Sequence, residues 1–174
     1  FEGDHLLDLC SLDDEYRELS IQNLSRVVEV TKRLQRWFSR SKKPMIIINA
    51  GGFTQDKPLE KNEREKRYAM ILESLNQIDL DGVEIIPQTM PPFPWHFGGQ
   101  RFQNLFMDPD EISKFCSDNS YRVCFDTSHS KLACNHYNWS FSKFVKKIGP
   151  YTAHLHIVDA SGVDGEGLQI NEGE

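Results

Sequence analysis

A parallel α/β fold is what this sequence predicts, and three observations carry that reading. Short apolar runs alternate with stretches of helical periodicity along the whole chain. Met45-Ile46-Ile47-Ile48 is apolar at every position, as a strand buried on both faces of a parallel sheet requires. The intervening helical stretches have the length of crossovers between successive parallel strands. Doubly wound sheets and (β/α)8 barrels both satisfy the pattern, and periodicity does not separate them.

The elements follow in order. Residues 6–9 form a first short apolar segment, and Ser11 is then expected to cap a helix over 11–40. Asp13, Asp14 and Glu15 suit the positive end of that helix, and Leu24, Val27, Val28, Leu34 and Phe38 form its apolar stripe. Lys42-Lys43-Pro44 breaks it before a strand over 45–49 that ends at Gly51-Gly52. A charged helix covers about 59–77, with Tyr68, Ile71, Leu72, Leu75 and Ile78 turned inward, and 82–86 is the next strand. Asp108-Pro109-Asp110-Glu111 is a helix start, with a capping residue, a first-turn proline and acids behind it. A strand over 121–126, a helix over 139–148 stopped by Gly149-Pro150, and a strand over 153–158 complete the series.

Composition narrows the function. The chain has 174 residues, 39% hydrophobic and 26% charged, enough for one core, so a single domain over 1–174 is expected. Lys and Arg number 20 against 26 Asp and Glu, a formal charge of −6, without the basic footprint that phosphate contact uses. No run of about 18 apolar residues would span a membrane, and no secretory signal opens the chain. The four cysteines, Cys10, Cys116, Cys124 and Cys134, form no CxxC and sit among apolar neighbours. Reduced, buried thiols in a cytoplasmic protein are the expectation.

In either architecture the chemistry belongs at the C-terminal ends of the strands. Asn49 precedes two glycines there, Glu84 interrupts an apolar strand, Asp126 and His129 close the next, and His154, His156 and Asp159 lie in or after the last. Carboxylates and imidazoles converging this way form a ligand set for one divalent ion such as Mn²⁺, Co²⁺, Mg²⁺ or Zn²⁺. Each also has a structural alternative: an ion pair for Glu84, a helix cap for Asp126, a hydrogen-bonded core position for His154, one layer deeper than His156. The connection over 87–107 far exceeds the usual loop of about 4–6 residues. Its Phe93, Trp95, His96, Phe97, Arg101, Phe102 and Phe106 could roof a polar small-molecule pocket or pack on themselves as an Ω-loop. Gly98-Gly99 lacks the spacing of a phosphate-binding fingerprint.

Several motifs in this order resemble the xylose isomerase-like TIM barrel superfamily, which includes sugar isomerases and epimerases and the family-2 apurinic endonucleases. His5-Leu-Leu-Asp-Leu-Cys-Ser with Asp13-Asp-Glu-Tyr-Arg-Glu-Leu-Ser-Ile resembles the segment after barrel strand two, and Ile46-Ile-Ile-Asn-Ala-Gly-Gly resembles strand three. Gly82-Val-Glu-Ile resembles strand five, Phe125-Asp-Thr-Ser-His strand six, His154-Leu-His-Ile-Val-Asp-Ala strand seven, and the stretch from Asp164 to Glu174 the glycine-rich loop beyond it. The resemblance implies an incomplete barrel, part of a longer polypeptide, without strands one and eight, since a whole one takes about 250 residues.

By position, Glu84, Asp126 and His156 match three of the four ligands of the isomerase-type metal site; the fourth, a strand-eight glutamate, would lie past Glu174. His129 matches a histidine that binds substrate in the epimerases and a second metal in the endonucleases. The endonucleases' histidines after strands two and three correspond to Glu2 and Asn49, and their Asp-x-His to Asp164-Gly165-Glu166. Those departures point away from a trinuclear zinc site and toward a sugar isomerase or epimerase. The implied mechanism is proton transfer next to a carbonyl, through a metal-stabilised enediolate. Glu84 or the strand-eight glutamate would take the proton and the other would return it, and His129, Trp95, His96, Asn49 and Arg101 would contact substrate. Asp159 and His154 would stand behind them. The alternatives are an endonuclease-like phosphodiesterase, or a non-catalytic barrel module of a larger nonulosonic (sialic-type) acid biosynthesis protein, which Gly165-Glu-Gly-Leu-Gln-Ile resembles. The expected partners are a small sugar, and either further copies or further domains of the polypeptide, not nucleic acid or membrane.

Overall fold

The structure, a computed structural model, describes residues 5–38, 40, 43–94 and 101–173. In chain order it comprises α1 (Asp14–Leu34), a 3₁₀ turn (Gln35–Trp37), β1 (Met45–Ile48), β2 (Phe53–Thr54), α2 (Lys61–Leu75), β3 (Glu84–Pro87) and β4 (Phe102–Gln103). There follow α3 (Pro109–Asn119), β5 (Val123–Asp126), α4 (Thr127–Tyr137), α5 (Phe141–Ile148), a second 3₁₀ turn (Gly149–Tyr151), β6 (Thr152–His156), β7 (Asp159–Ser161) and β8 (Gly165–Leu168). Two compact units divide the chain: residues 1–52 with 61–86, and residues 53–60 with 87–174.

In the first unit, α1 starts two residues later than Ser11 predicts. Asp13 is the cap, its carboxylate accepting the Tyr16 N–H at 3.1 Å, while the Ser11 hydroxyl accepts the N–H of Asp13 itself. The buried stripe of α1 is Ser20, Ile21, Leu24 and Val28, narrower than expected, because Val27, Leu34 and Phe38 remain exposed. β1 and β3 pair, and the Glu84 N–H donates to the Pro44 carbonyl at 2.9 Å. Polar bonds tie residues 8–10 to this unit. Ser74 Oγ donates to the Leu9 carbonyl at 2.6 Å, and Arg67 to the Cys10 carbonyl. Buried Asp8 gathers the N–H groups of Cys10 and Gly52 and the Cys10 thiol onto Oδ1. Gly51 makes that approach possible: its φ is +98°, and a Cβ there would lie 2.1 Å from Asp8 Oδ1.

In the second unit, β5 and β6 run parallel with Asp126 opposite His156, and Gln88, just after β3, makes a parallel bridge to Cys124. Asp108 caps α3 as its sequence predicts, accepting from the Asp110 and Glu111 N–H groups. Ile112, Phe115, Val123, Leu132, Phe144 and Ile148 fill the core. Phe106, read as part of a pocket roof, instead belongs to this core: it is fully buried and packs edge-on against Phe115 at 5.2 Å. Five elements escaped the sequence reading: α4, the strands β2 and β4, which pair antiparallel, and β7 and β8, which form an antiparallel hairpin. All four cysteines are free and buried. Among the described residues no helix is long and apolar enough to cross a membrane.

Candidate functional site

The polar centre of the second unit gathers at the C-terminal ends of β5 and β6. Asp126 closes β5 at only 4% exposure, and both of its oxygens are engaged. Oδ1 accepts the backbone N–H of His129 at 3.0 Å, capping α4. Oδ2 accepts from Gln88 Nε2 at 2.9 Å and stands 3.3 Å from His156 Nδ1. The Asp126 N–H donates to Thr89 Oγ1 at 2.9 Å, and Ser130 Oγ donates to the same hydroxyl at 3.0 Å. Helix cap and site carboxylate are therefore one role seen from two oxygens.

His129 occupies the first turn of α4. Its Nδ1 lies 2.8 Å from the Thr89 carbonyl. A carbonyl only accepts, so Nδ1 carries a proton, and the 3.2 Å approach of Gln88 Nε2 to it is then a packing contact. Nε2 lies 2.9 Å from Glu166 Oε1. With Nδ1 already protonated, that contact is a hydrogen bond only if a second proton lies on it. The pair is thus imidazolium with carboxylate, or imidazole with carboxylic acid. Burial opposes charge on His129. The Glu166 bond, the negative charges of Asp126 and Glu166 and the Thr89 carbonyl outweigh it, and the pKa ends above the usual imidazole value.

Glu166 reaches His129 because the β7–β8 hairpin is anchored at several points. The Gly167 N–H donates to Ser128 Oγ at 3.2 Å, and Asn135 Nδ2 to the Gly162 carbonyl at 2.7 Å. Thr127 Oγ1 donates to the Val158 carbonyl at 2.6 Å and accepts the Val158 N–H at 3.0 Å, fixing the chain as it leaves β6. Asp159 accepts the N–H groups of Ala160, Asn171 and Gly173 at 3.0, 2.9 and 3.1 Å. These bonds, that of Ala160 foremost, hold its pKa below the usual carboxylate value.

The structure brings Asp126, His129 and His156 together. Glu84 opens β3, whereas Gln88, just past that strand's C-terminal end, is the residue that reaches Asp126. Asn49 follows β1 on the exposed surface of the first unit. Arg101 stacks over Phe53 at 4.8 Å. His154 is exposed rather than a core histidine, its ring edge-on to that of His156 at 5.3 Å, because β5 is the one described strand paired with β6. Asp159 holds the chain over 160–173 rather than a histidine. Trp95, His96 and Glu2 lie outside the described residues. The sequence reading missed Gln88, Thr89 and Glu166. Glu166 stands in a segment with a family resemblance but no residue role assigned to it, and Gln88 two residues beyond the expected strand.

The divalent ion implied by the resemblance meets an incomplete donor set. Asp126 and His156 are adjacent, but among the described residues no three His, Cys, Asp or Glu side chains are arranged to hold a metal. The next group at that strand edge is the Gln88 carboxamide, which turns an N–H toward Asp126 where a cation would need a lone pair. The described residues do not fit the expected mononuclear site.

Comparison with known proteins places this architecture. The family described as xylose isomerase-like TIM barrel matches residues 2–174. No curated protein matches the sequence. Among solved structures, a xylose isomerase domain protein from Planctomyces limnophilus is similar at 14% identity and a TM-score of 0.62, over 98% of this chain and 55% of that one. L-ribulose 3-epimerase is similar at 15% identity and 0.61, over 90% and 47%. 3-Keto-D-glucoside 4-epimerase from E. coli is similar at 14% and 0.59, over 87% and 55%. At these identities the likeness is one of fold, and the chain spans about half the length of these structures. The strand-and-helix series is therefore an incomplete barrel, and the chain belongs to the xylose isomerase-like TIM barrel family.

Proposed function

We propose that this chain supplies the proton-transfer centre of a sugar isomerase or epimerase. The observation that carries the proposal is the His129–Glu166 contact, which holds an exchangeable proton beside a buried carboxylate at the strand ends. Enolising a sugar needs a base to take a proton from the carbon next to the carbonyl and an acid to protonate the carbonyl oxygen. Glu166, a third exposed, is suited to take the carbon-bound proton. Imidazolium Nε2 of His129 would then protonate the oxygen as the C–H electron pair moves toward the carbonyl. Delivery of a proton to the former carbonyl carbon, with loss of the proton on the neighbouring hydroxyl, gives isomerisation; delivery to the opposite face of the first carbon, with the oxygen handing its proton back to His129, gives epimerisation. Thr89 holds the imidazole through Nδ1 and Asp126 holds the His129 backbone, so that Nε2 faces Glu166. The sugar epimerases among its structural neighbours support the choice of substrate class.

Incubating the chain in D₂O with a panel of ketoses and aldoses, and following the carbon-bound proton by NMR, tests the proposal. At least one sugar should exchange the proton next to its carbonyl, and Glu166→Gln should slow that exchange about 10²–10⁴-fold. Exchange unaffected by Glu166→Gln and His129→Ala would refute the assignment.

A further inference from the structure

The misfit between the expected cation and the donors present points to a specific property of this chain. We infer that its strand-end centre works without a divalent ion, because the N–H groups of Gln88 and His129 supply from the protein the positive charge that a cation would otherwise bring to Asp126. The inference deepens the proton-transfer reading and rests on the same centre.

Three features carry it. A first-row divalent ion shared by Asp126 and His156 would need a lone pair from each at about 2.0–2.2 Å. Asp126 Oδ1 is turned to the His129 backbone N–H, and Oδ2 takes the Gln88 N–H at 2.9 Å while facing His156 Nδ1 at 3.3 Å. Both oxygens therefore point at hydrogens already in the fold. Second, Gln88 presents an amide N–H₂ to the space from which an ion would bind. Rotating the carboxamide to offer Oε1 would give up the Asp126 bond and bring two acceptor oxygens together. Third, His129 is unavailable as a replacement ligand: Nδ1 is bonded to the Thr89 carbonyl and Nε2 to Glu166. A single atom stands between this arrangement and three convergent donors. Exchanging the Gln88 amide nitrogen for oxygen would put two carboxylates and an imidazole around one point.

Calorimetric titration of the metal-stripped chain with Mn²⁺, Co²⁺ and Zn²⁺ tests this without any sugar, so a failed sugar assay leaves the result standing. The wild-type chain should show no saturable binding that depends on Asp126 or His156. Gln88→Glu should bind one ion, at least about tenfold tighter than wild type, and the combined Gln88→Glu/His156→Ala variant should lose it. A wild-type chain that binds one ion per molecule and loses it in His156→Ala would overturn the inference. So would a Gln88→Glu chain with native circular dichroism that still binds nothing. Should Gln88→Glu fail to fold, the wild-type titration against His156→Ala decides alone.

Discussion

Replacing Asp126 separates a carboxylate satisfied by its own protein from one awaiting a cation. Asp126→Ala removes the α4 cap, worth about 1 kcal/mol. It also strands the buried Gln88 N–H that Oδ2 accepts at 2.9 Å, at about 1–3 kcal/mol. The sum is about 2–4 kcal/mol, or a fall in Tm of about 4–16 °C for a chain of this size. Asp126→Asn behaves differently. Its carbonyl keeps the cap, and rotation of the Gln88 carboxamide gives the new amide N–H an acceptor, so the cost is about 1 kcal/mol or less. Urea denaturation followed by circular dichroism, with the m-value checked for constancy, reads both. The reasoning is refuted if either variant is more stable than wild type, since that would mean the carboxylate lacks enough donors and is held at a cost. It is also refuted if the alanine and asparagine variants are equally destabilised.

Three further outcomes follow. His129 has a raised pKa in the fold, so the folded state binds more protons than the unfolded state between the two values. Its stability contribution is complete below the ordinary imidazole pKa of about 6.5 and disappears as pH rises through the folded value. Denaturation across that range should show the loss, and His129→Gln should flatten it. Gly51→Ala puts a methyl group 2.1 Å from Asp8 Oδ1 at a φ of +98°, and should cost at least about 1–3 kcal/mol by denaturant melt. The thiols of the native chain should resist Ellman's reagent until it unfolds. All are buried, and burial alone pushes Cys116 up to about 12.

The larger elements were legible because single local signals decide them. The unbroken Met45–Ile48 run, the Asp108-Pro109 start and the Gly149-Pro150 stop each correspond to a feature of the structure. α4 was not, although Asp126 was read as a possible cap, because Thr127-Ser128-His129-Ser130 has weak helix propensity and α4 relies on the cap and on buried Leu132, Ala133 and Cys134. The site was half legible for a related reason. Asp126, His129 and His156 belong to motifs of residue type and spacing. Gln88 and Glu166 matter through tertiary placement: one follows a strand that ends one residue later than expected, the other sits on a hairpin no local pattern announced. Glu84 attracted attention as the charge in an apolar strand, but alternation along a strand fixes a side chain's face and not the end on which it stands.

The central claim is that His129 and Glu166 share a proton, with the imidazole orientation fixed by Thr89. Nitrogen-15 NMR of the His129 ring, recorded across pH on wild type and Glu166→Gln, measures it directly. Nδ1 should stay protonated throughout the titration, and Nε2 should keep its proton to higher pH in wild type than in the variant. An Nδ1 without a proton in the neutral ring, or an Nε2 whose titration is the same in both proteins, would contradict it.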